Sequence, residues 1–390
     1  MKGNFKSHQA CLFYACIAVI GALLWQLLSV HYNFGGNWTG LFCTGSYGAT
    51  PPALAFEHIY RFADSEGYDG QFYHYIAHDP LLKRGMSQYV DNPRLRWRRI
   101  LLPGLAYLFA LGQDEYIDAA YVAVNLGFLL LGVYWLARFV TRRGWHPAWG
   151  LAFFLVPATP ISIDRMTVDM ALVALCIGYV VYVDEGPLWK LLLVLILAPL
   201  ARETGFCLAG GACLYFAARR HWRRAVASAL SITPFLAWVA FVSVKTSPDA
   251  TAWFSWLPFE GLVRRTVHPF LHAVLNWKVA LAAGGDYLGI LGMWPALAIA
   301  FSAAWKRRSD GRATALYLFI CVAAFVARDA VWEEAYSFGR IMSPLMVLTA
   351  LDGVADRSWW RLLPMVMVLP RVGMQFGFQA LNILRHLRVL

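Results

Sequence analysis

Long uninterrupted apolar runs are the feature that most limits what this chain can fold into. The first covers about residues 10–30, and several later runs are also long enough to cross the roughly 30 Å hydrocarbon core of a bilayer as a helix. A helix satisfies its own backbone hydrogen bonds where water is absent, so each such run predicts a helical span. Hydrophobic residues make up 59% of the 390 positions and charged residues 15%, which excludes an ordinary soluble domain.

The runs taken together predict an all-α polytopic membrane protein with about eleven transmembrane helices. No composition break marks a soluble domain and no repeat of fixed period recurs, so residues 1–390 are expected to form one integral membrane domain. The first run lacks a clean cleavage site and is interpreted as a retained signal anchor. Later helices are expected at about 117–140, 148–163, 166–183, 188–201, 204–218, 225–245, 286–305, 313–327, 340–352 and 362–380.

The basic residues orient these helices. The net charge of +11 comes from short clusters between apolar runs, which favours the positive-inside rule over a nucleic-acid-binding face. Cytoplasmic clusters are expected at 138–143, 219–224, 306–312 and 357–361. Residues 31–116 then form a first extracytoplasmic loop with interfacial helices, and residues 246–285 form a second, aromatic and basic one. We expect a bacterial inner-membrane protein whose functional face points to the periplasm or outside.

Two stretches of the first loop conflict with a simple layout. The basic run at 94–99 would prefer the cytoplasm under the positive-inside rule. The apolar run at 100–112 is too short to span comfortably, so it predicts a half-inserted or interfacial helix. If the run at 100–112 does cross the membrane, every later loop lies on the opposite side from the one given above.

The segment at 68–80 carries two carboxylates, two imidazoles and four aromatic rings in thirteen residues. Asp69 has two interpretations: an N-cap for a helix that runs to Asp79, or a general base. Both can hold, because a capping carboxylate keeps a free oxygen. His74 and His78 would share a helix face at a spacing compatible with zinc. The HExxH pattern is absent and no third ligand is indicated, so hydrogen bonding is the favoured interpretation, with no metal or other cofactor expected.

Charged pairs at predicted helix turns are the other candidates. Arg202 and Glu203 are interpreted as an internal ion pair at a broken helix. In the alternative interpretation, Arg202 or Arg340 binds a phosphate through forked hydrogen bonds. Asp164 and Arg165 have the same two interpretations. An unpaired charge at bilayer depth costs roughly 2.5–3.5 kcal/mol, so both residues of the Arg202–Glu203 turn are expected to have partners. The acids and these arginines are expected to converge on the outer face.

The first-loop segment resembles a known signature. Residues 68–77, YDGQFYHYIA, are similar to the aromatic-Asp-x-x-x-aromatic-x-x-Ile-Ala motif of the GPI-anchor mannosyltransferase that adds the second mannose. They resemble still more closely bacterial membrane proteins of the same GT-C glycosyltransferase superfamily that are linked to cell-surface glycopolymers. The stretches RRILLP at 98–103, ARETG at 201–205 and FGR at 338–340, which precedes Pro344, also look like elements of those chains.

The resemblance implies an inverting transfer of a sugar from a polyprenyl-phosphate-linked donor to a glycan, lipid or protein acceptor outside the membrane. It puts the general base at Asp69. Because guanidinium charge can neutralise a departing lipid phosphate, Arg202, Arg340 or Arg165 is expected to hold the donor phosphate without a metal. A Tyr where the eukaryotic motif has Trp, and a Gly where it often has Ala, leave the sugar open. Substrate contacts are expected from Tyr68, Gln71, Tyr73, His74, His78, Asp164, Asp169 and Glu203.

Two other functions remain open from the sequence. A transporter or flippase for a lipid-linked saccharide would spread charges through the membrane depth and often shows an inverted repeat. A non-catalytic membrane subunit of glycopolymer assembly is the third hypothesis. The transferase hypothesis requires that Asp69 lie within about 20 Å of at least one of Arg165, Arg202 and Arg340. This limit is about the length of a helix that crosses most of a bilayer.

Overall fold

The computed structural model describes residues 2–184, 186–248, 253–270, 276–306 and 310–387. Within these residues the protein is all-α apart from one small ladder. The α-helices in chain order are α1 (Lys2–Asn33), α2 (Asp69–His78), α3 (Pro93–Arg98), α4 (Leu101–Phe109), α5 (Asp114–Thr141), α6 (Ala158–Arg165), α7 (Asp169–Tyr182), α8 (Leu188–Ala201), α9 (Phe206–Ala218), α10 (Trp222–Leu230), α11 (Thr233–Lys245), α12 (Glu260–Val267), α13 (Trp277–Lys306), α14 (Gly311–Phe325), α15 (Asp329–Trp332), α16 (Ala335–Ile341), α17 (Ser343–Ala355) and α18 (Leu363–His386).

Short 3-10 helices and two strands complete the described elements. Strand β1 (Thr44–Gly45) pairs in parallel with β2 (Arg61–Phe62), in the register Thr44 to Arg61 and Gly45 to Phe62. Both strands lie in the first loop, between α1 and α2. The 3-10 helices are Trp38–Phe42, Pro52–Glu57, Met86–Tyr89, Pro147–Leu155, Glu203–Gly205 and Trp359–Leu362.

Four helices among the described residues are long and apolar enough to cross a membrane. They are Ser7–Asn33 in α1, α5, the α10–α11 stretch Trp222–Lys245, and α13. The pair α16 and α17, bent by 60°, adds a fifth if it counts as one span. Helices α7, α8 and α14 are apolar but shorter. This pattern fits a helical membrane protein, whereas the expected number of about eleven spans is not confirmed.

The outer surface of α1 is formed by exposed apolar side chains, as expected for a helix that faces lipid. Large side chains such as Phe13, Ile20 and Leu24 are 55–60% exposed. The other side of α1 packs against α5 and reaches α18. A helix that is apolar all round and only partly covered by protein is typical of a membrane span.

The predicted helix at 148–163 is interrupted. Residues Pro147–Leu155 form a 3-10 helix, and α6 begins only at Ala158. Pro157 lies at the break and Pro160 in the first turn of α6, where a missing N–H donor is tolerated. Helix α13 begins at Trp277, so the expected second loop of residues 246–285 is partly helical.

The short helix α7 is the centre of the fold. Every one of its residues is buried, and it packs against α5, α8 and α17. Its first residue is Asp169. The fold therefore carries a carboxylate into the protein interior, where it needs a charged partner.

Candidate functional site

The beginning of α2 is pressed against the turn that follows α6. A Cβ atom added at Gly70 would lie 2.1 Å from the carbonyl oxygen of Arg165 and 2.8 Å from that of Phe42. Only glycine allows this approach. Asp69 is the first residue of α2, while Tyr68 is its N-cap residue and makes no side-chain cap bond. The interpretation of Asp69 as the N-cap is therefore wrong, although the helix ends at His78, one residue before the predicted Asp79.

Two guanidinium groups hold the Asp69 carboxylate. Arg340 donates from Nη2 to Oδ2 of Asp69, and Nη1 of Arg96 lies 2.8 Å from the same oxygen. Burial by itself would raise the pKa of Asp69, but the charges of Arg340 and Arg96 outweigh it and hold the pKa well below its usual range. In this arrangement Asp69 is ionised and is a weak proton acceptor.

Arg340 also connects Asp69 to the centre of the fold. Its Nη1 donates to Oδ2 of Asp169 at 3.1 Å, and Nη1 of Arg202 contacts Oδ1 of the same carboxylate. The Asp169 carboxylate thus lies between two buried guanidiniums, at the N-terminal end of α7, where the helix dipole also favours negative charge. The hypothesis that Asp69 meets at least one of the three arginines is confirmed.

A second, partly buried pair lies beside this chain of contacts. Arg99 donates to both carboxylate oxygens of Glu203, at 2.8 and 2.7 Å, and to the hydroxyl of Tyr73 at 3.0 Å. Arg202 approaches Glu203 less closely, with its Nε 3.9 Å from Oε1 of Glu203. Both residues of the turn have partners, as predicted. The ion pair expected along the turn is present at 3.9 Å, but the shorter contacts of both residues run across the fold, from Arg202 to Asp169 and from Glu203 to Arg99.

Arg96 and Arg99 were not among the candidates from the sequence. They belong to the basic run at 94–99 that conflicted with the positive-inside rule, and the structure removes part of that conflict. Both side chains are buried, Arg96 between Asp69 and Asp91 and Arg99 against Glu203. A charge count along the chain cannot distinguish arginines paired inside the protein from those facing cytoplasmic lipid.

Arg165 contributes to the site through its backbone carbonyl, which lies against Gly70. Its side chain contacts Asp164 and Cys43 rather than Asp69 or Asp169. Its Nε lies 3.0 Å from Oδ2 of Asp164, and Nη1 contacts the sulfur of Cys43 at 2.8 Å. The other oxygen of Asp164 accepts a bond of 2.8 Å from Gln379 on α18. The structure therefore shows Asp164 and Arg165 as an ion pair that supports the turn under Gly70.

Two further candidates on the first-loop motif also make structural contacts. Tyr68 donates its hydroxyl to the carbonyl of Tyr336 at 2.9 Å, and its ring lies 5.0 Å from the Arg340 guanidinium carbon. The Gln71 amide donates to the carbonyl of Glu66 at 2.9 Å and accepts from the backbone of Gly45 at 3.2 Å. Gln71 thus ties α2 to the β ladder.

His74 and His78 share one face of α2 as predicted, but they point into the protein. Nε2 of His74 lies 2.8 Å from Oδ1 of Asp118 and 3.1 Å from Oε2 of Glu57, and Nε2 of His78 lies 2.9 Å from Oε1 of Glu57. The four ligand atoms of this group lie within 4.8 Å of one another. The sequence indicated no third metal ligand, whereas the structure brings Glu57 and Asp118 to the two histidines.

The charges of this group shift its titration. Burial alone would lower the pKa of His74, but Asp118 and Glu57 outweigh it and raise the pKa to about 10. Burial would raise the pKa of Glu57, but its close contacts with His74 and His78 outweigh burial and lower the pKa to about 2. Glu57 ends a 3-10 helix and Asp118 lies in α5, so no regular spacing along the chain pointed to them.

An apolar groove lies between α4, α5, α7 and α8. On α8 it is lined by Trp189, Leu193 and Leu197, which are spaced four apart and share one face. Leu197 precedes Arg202 by five residues, or roughly 7 Å of helix rise. On α4 the groove includes Leu105, which follows Arg99 by less than two helical turns. The groove therefore ends near the charged network.

The comparisons with known proteins add no relative. No protein-family model matches the chain, and neither the curated proteins nor the solved structures give a match.

Proposed function

We propose that this protein transfers a sugar from a polyprenyl-phosphate-linked donor to a glycan, lipid or protein acceptor on the extracytoplasmic side of a bacterial inner membrane. The observation that carries the proposal is the network in which Arg340 contacts both Asp69 and Asp169, while Arg202 contacts Asp169. A carboxylate with partial solvent access and two adjacent guanidiniums are what acceptor deprotonation and phosphate departure require. The GT-C resemblance of the first loop supports the same reaction.

In the proposed reaction an acceptor hydroxyl oxygen attacks the anomeric carbon of the donor sugar. Asp69 takes the hydroxyl proton as the new glycosidic bond forms, with inversion at that carbon. The bond from the anomeric carbon to the phosphate oxygen breaks, and polyprenyl phosphate leaves with the electron pair. Arg340 and Arg202 stabilise the charge that develops on this phosphate, so the step requires no divalent metal.

Asp69 becomes a stronger base when the donor phosphate replaces it as a partner of Arg340. The donor phosphate is an anion that fits the forked donors of a guanidinium at least as well as a carboxylate does. When the phosphate occupies Arg340, the Asp69 carboxylate loses one of its two cations, and its pKa rises toward the ordinary value. Donor binding thereby prepares the base, and Asp169 keeps both arginines in place.

The apolar groove along α8 fits the remaining part of the donor. A polyprenyl chain is a long flexible hydrocarbon that needs an apolar path leading to its phosphate. The face of Trp189, Leu193 and Leu197 leads toward Arg202. We assign this groove to the polyprenyl chain, which places the phosphate at the charged end.

The test is a transfer assay with purified full-length protein and a panel of polyprenyl-phosphate sugars. The expected result is release of polyprenyl phosphate that depends on added acceptor, and its loss in an Asp69→Asn variant. The matched control is Asp64→Asn, since Asp64 is an exposed carboxylate in the same loop with a φ of 51°, a conformation that Asn tolerates. A protein that moves intact lipid-linked saccharide across vesicles but releases no polyprenyl phosphate would instead be a flippase.

A further inference from the structure

We propose that Glu57, His74, His78 and Asp118 bind one zinc ion that fixes α2 to the first loop and to α5. Two imidazoles and two carboxylates form a four-ligand set that zinc accepts in tetrahedral geometry. The two histidines are completely buried, whereas the side chains of Glu57 and Asp118 are 8% and 22% exposed. This site is independent of the proposed sugar transfer, because it lies at the other end of α2 from Asp69.

The spacing of the ligand atoms suits a metal ion. With bonds of about 2.0 Å, the ligands of a tetrahedral zinc are about 3.3 Å apart. Nε2 of His74 lies 2.8 and 3.1 Å from the oxygens of Asp118 and Glu57, and Nε2 of His78 lies 2.9 Å from Glu57. Around an ion these three contacts would lengthen by a few tenths of an ångström, while the wider separations in the group, which reach at most 4.8 Å, would shorten.

These short contacts do not have hydrogen-bond geometry. Nε2 of His74, Nε2 of His78, Oε2 of Glu57 and Oδ1 of Asp118 are buried and form no hydrogen bond with a described residue. A buried nitrogen and a buried oxygen this close, without a proton directed between them, are arranged as two ligands of one cation are. Left without a cation, such groups would carry a desolvation penalty of about 1–3 kcal/mol each.

The surroundings also match those of a histidine-bound metal. Nδ1 of His78 lies 2.8 Å from Oδ1 of Asp114, and a carboxylate can only accept, so Nδ1 donates and Nε2 is the ring nitrogen that faces the proposed ion. A carboxylate behind a ligating histidine is the common second shell of zinc sites. Asp114 is itself held by two bonds from Arg84, at 2.6 and 2.9 Å.

The charges of this group suit a dication. With both imidazoles neutral, the carboxylates of Glu57, Asp114 and Asp118 and the guanidinium of Arg84 leave two negative charges. One divalent ion neutralises them. Asp118 also lines a cavity bordered by Trp38 and Phe42, which provides a path for the ion.

The experiment measures metal in full-length protein purified in detergent without a polyhistidine tag. We expect about one zinc per chain, with a first shell of nitrogen and oxygen at about 2.0–2.1 Å and imidazole scattering in the zinc K-edge spectrum. Asp118→Asn should lose most of the metal. Asp114→Asn should weaken zinc affinity by roughly 10–100-fold in a chelator competition, because it removes only the support behind His78.

The controls are Glu66→Gln and His58→Asn, an exposed carboxylate and an exposed imidazole of the same loop, which should keep about one zinc per chain. If Asp118→Asn does not fold, Glu57→Gln and the wild-type spectrum decide. Wild-type protein that contains no zinc and takes up none from added Zn²⁺ overturns the proposal. So does a spectrum without imidazole scattering, or a folded Asp118→Asn that retains the metal.

Discussion

Arg340 donates to the carboxylate of Asp69, a residue 271 positions earlier in the chain. The same guanidinium reaches Asp169 with its other nitrogen. Helices α2, α7 and α16 therefore meet at one side chain. A carboxylate in the first loop is by this contact connected to the core of the helical domain.

Replacing Asp69 by Asn is expected to abolish sugar transfer while the protein stays folded. General-base catalysis contributes typically about 10²–10⁴-fold in rate. Folding should persist because Asn has nearly the same volume, and Arg340 and Arg96 keep Asp169 and Asp91 as partners. The measurement is release of polyprenyl phosphate, together with the elution profile and melting curve in detergent. A folded variant with wild-type activity would remove Asp69 from the reaction.

The low pKa of Asp69 predicts how stability depends on pH. A carboxyl group whose folded pKa is below its ordinary value of 3.8 contributes stability that is present above that value and is lost as the pH falls toward the folded pKa. The difference in melting temperature between wild type and Asp69→Asn should thus stay constant from neutral pH down to about pH 5 and shrink only below about pH 4. A difference that disappears between pH 7 and pH 6 would contradict the ion pairing.

Arg340→Lys is expected to weaken donor binding, since a single ammonium cannot bridge Asp69 and Asp169 with a fixed fork. A hydrogen bond to a charged group contributes about 1.5–3 kcal/mol, so KM for the donor should rise by roughly 10–100-fold. Arg385→Lys is the control, because Arg385 is exposed on α18. Equal KM values for the two variants would argue against a phosphate contact at Arg340.

The pair Arg99 and Glu203 should behave as one unit in a double-mutant cycle. Removing one partner of a fully buried pair costs about 3–5 kcal/mol, and the cost here should be lower because Glu203 keeps 28% of its side chain exposed. The double variant Arg99→Met with Glu203→Gln should lose less stability than the two single variants added together. Urea unfolding of the helical signal in detergent gives the three values. Strict additivity would show that the contact is not formed.

Gly70→Ala is expected to disturb the site without touching a charged group. The added Cβ would lie 2.1 Å from the carbonyl oxygen of Arg165, so α2 must move away from that turn. Transfer activity should fall because Asp69 is displaced. The melting temperature should also fall, because α2 no longer packs closely against the turn. Gly48→Ala, where nothing lies within 4 Å of the added atom, should match the wild type. Wild-type activity in Gly70→Ala would show that the position of α2 is not critical.

Local patterns in the chain predicted several elements well. The helix expected from Asp69 to Asp79 is found at Asp69–His78, and the break expected at Arg202 lies between α8 and the 3-10 helix that begins at Glu203. Apolar length and charge at the ends of runs determine such elements, and both are properties of neighbouring residues. Breaks at Pro157 and the bend between α16 and α17 were missed, because irregular backbone at membrane depth depends on what surrounds it.

The sequence by itself determined that this chain is an apolar, helical protein with its acids and some of its arginines at the turns. Only the tertiary structure decided which charges pair: Arg99 bonds Glu203 across the fold, Arg202 bonds Asp169, and Glu57 and Asp118 join the two histidines of α2. The physical reason is that a buried charge takes whichever partner the packing of distant helices brings within bonding distance, and one-dimensional spacing does not record that distance.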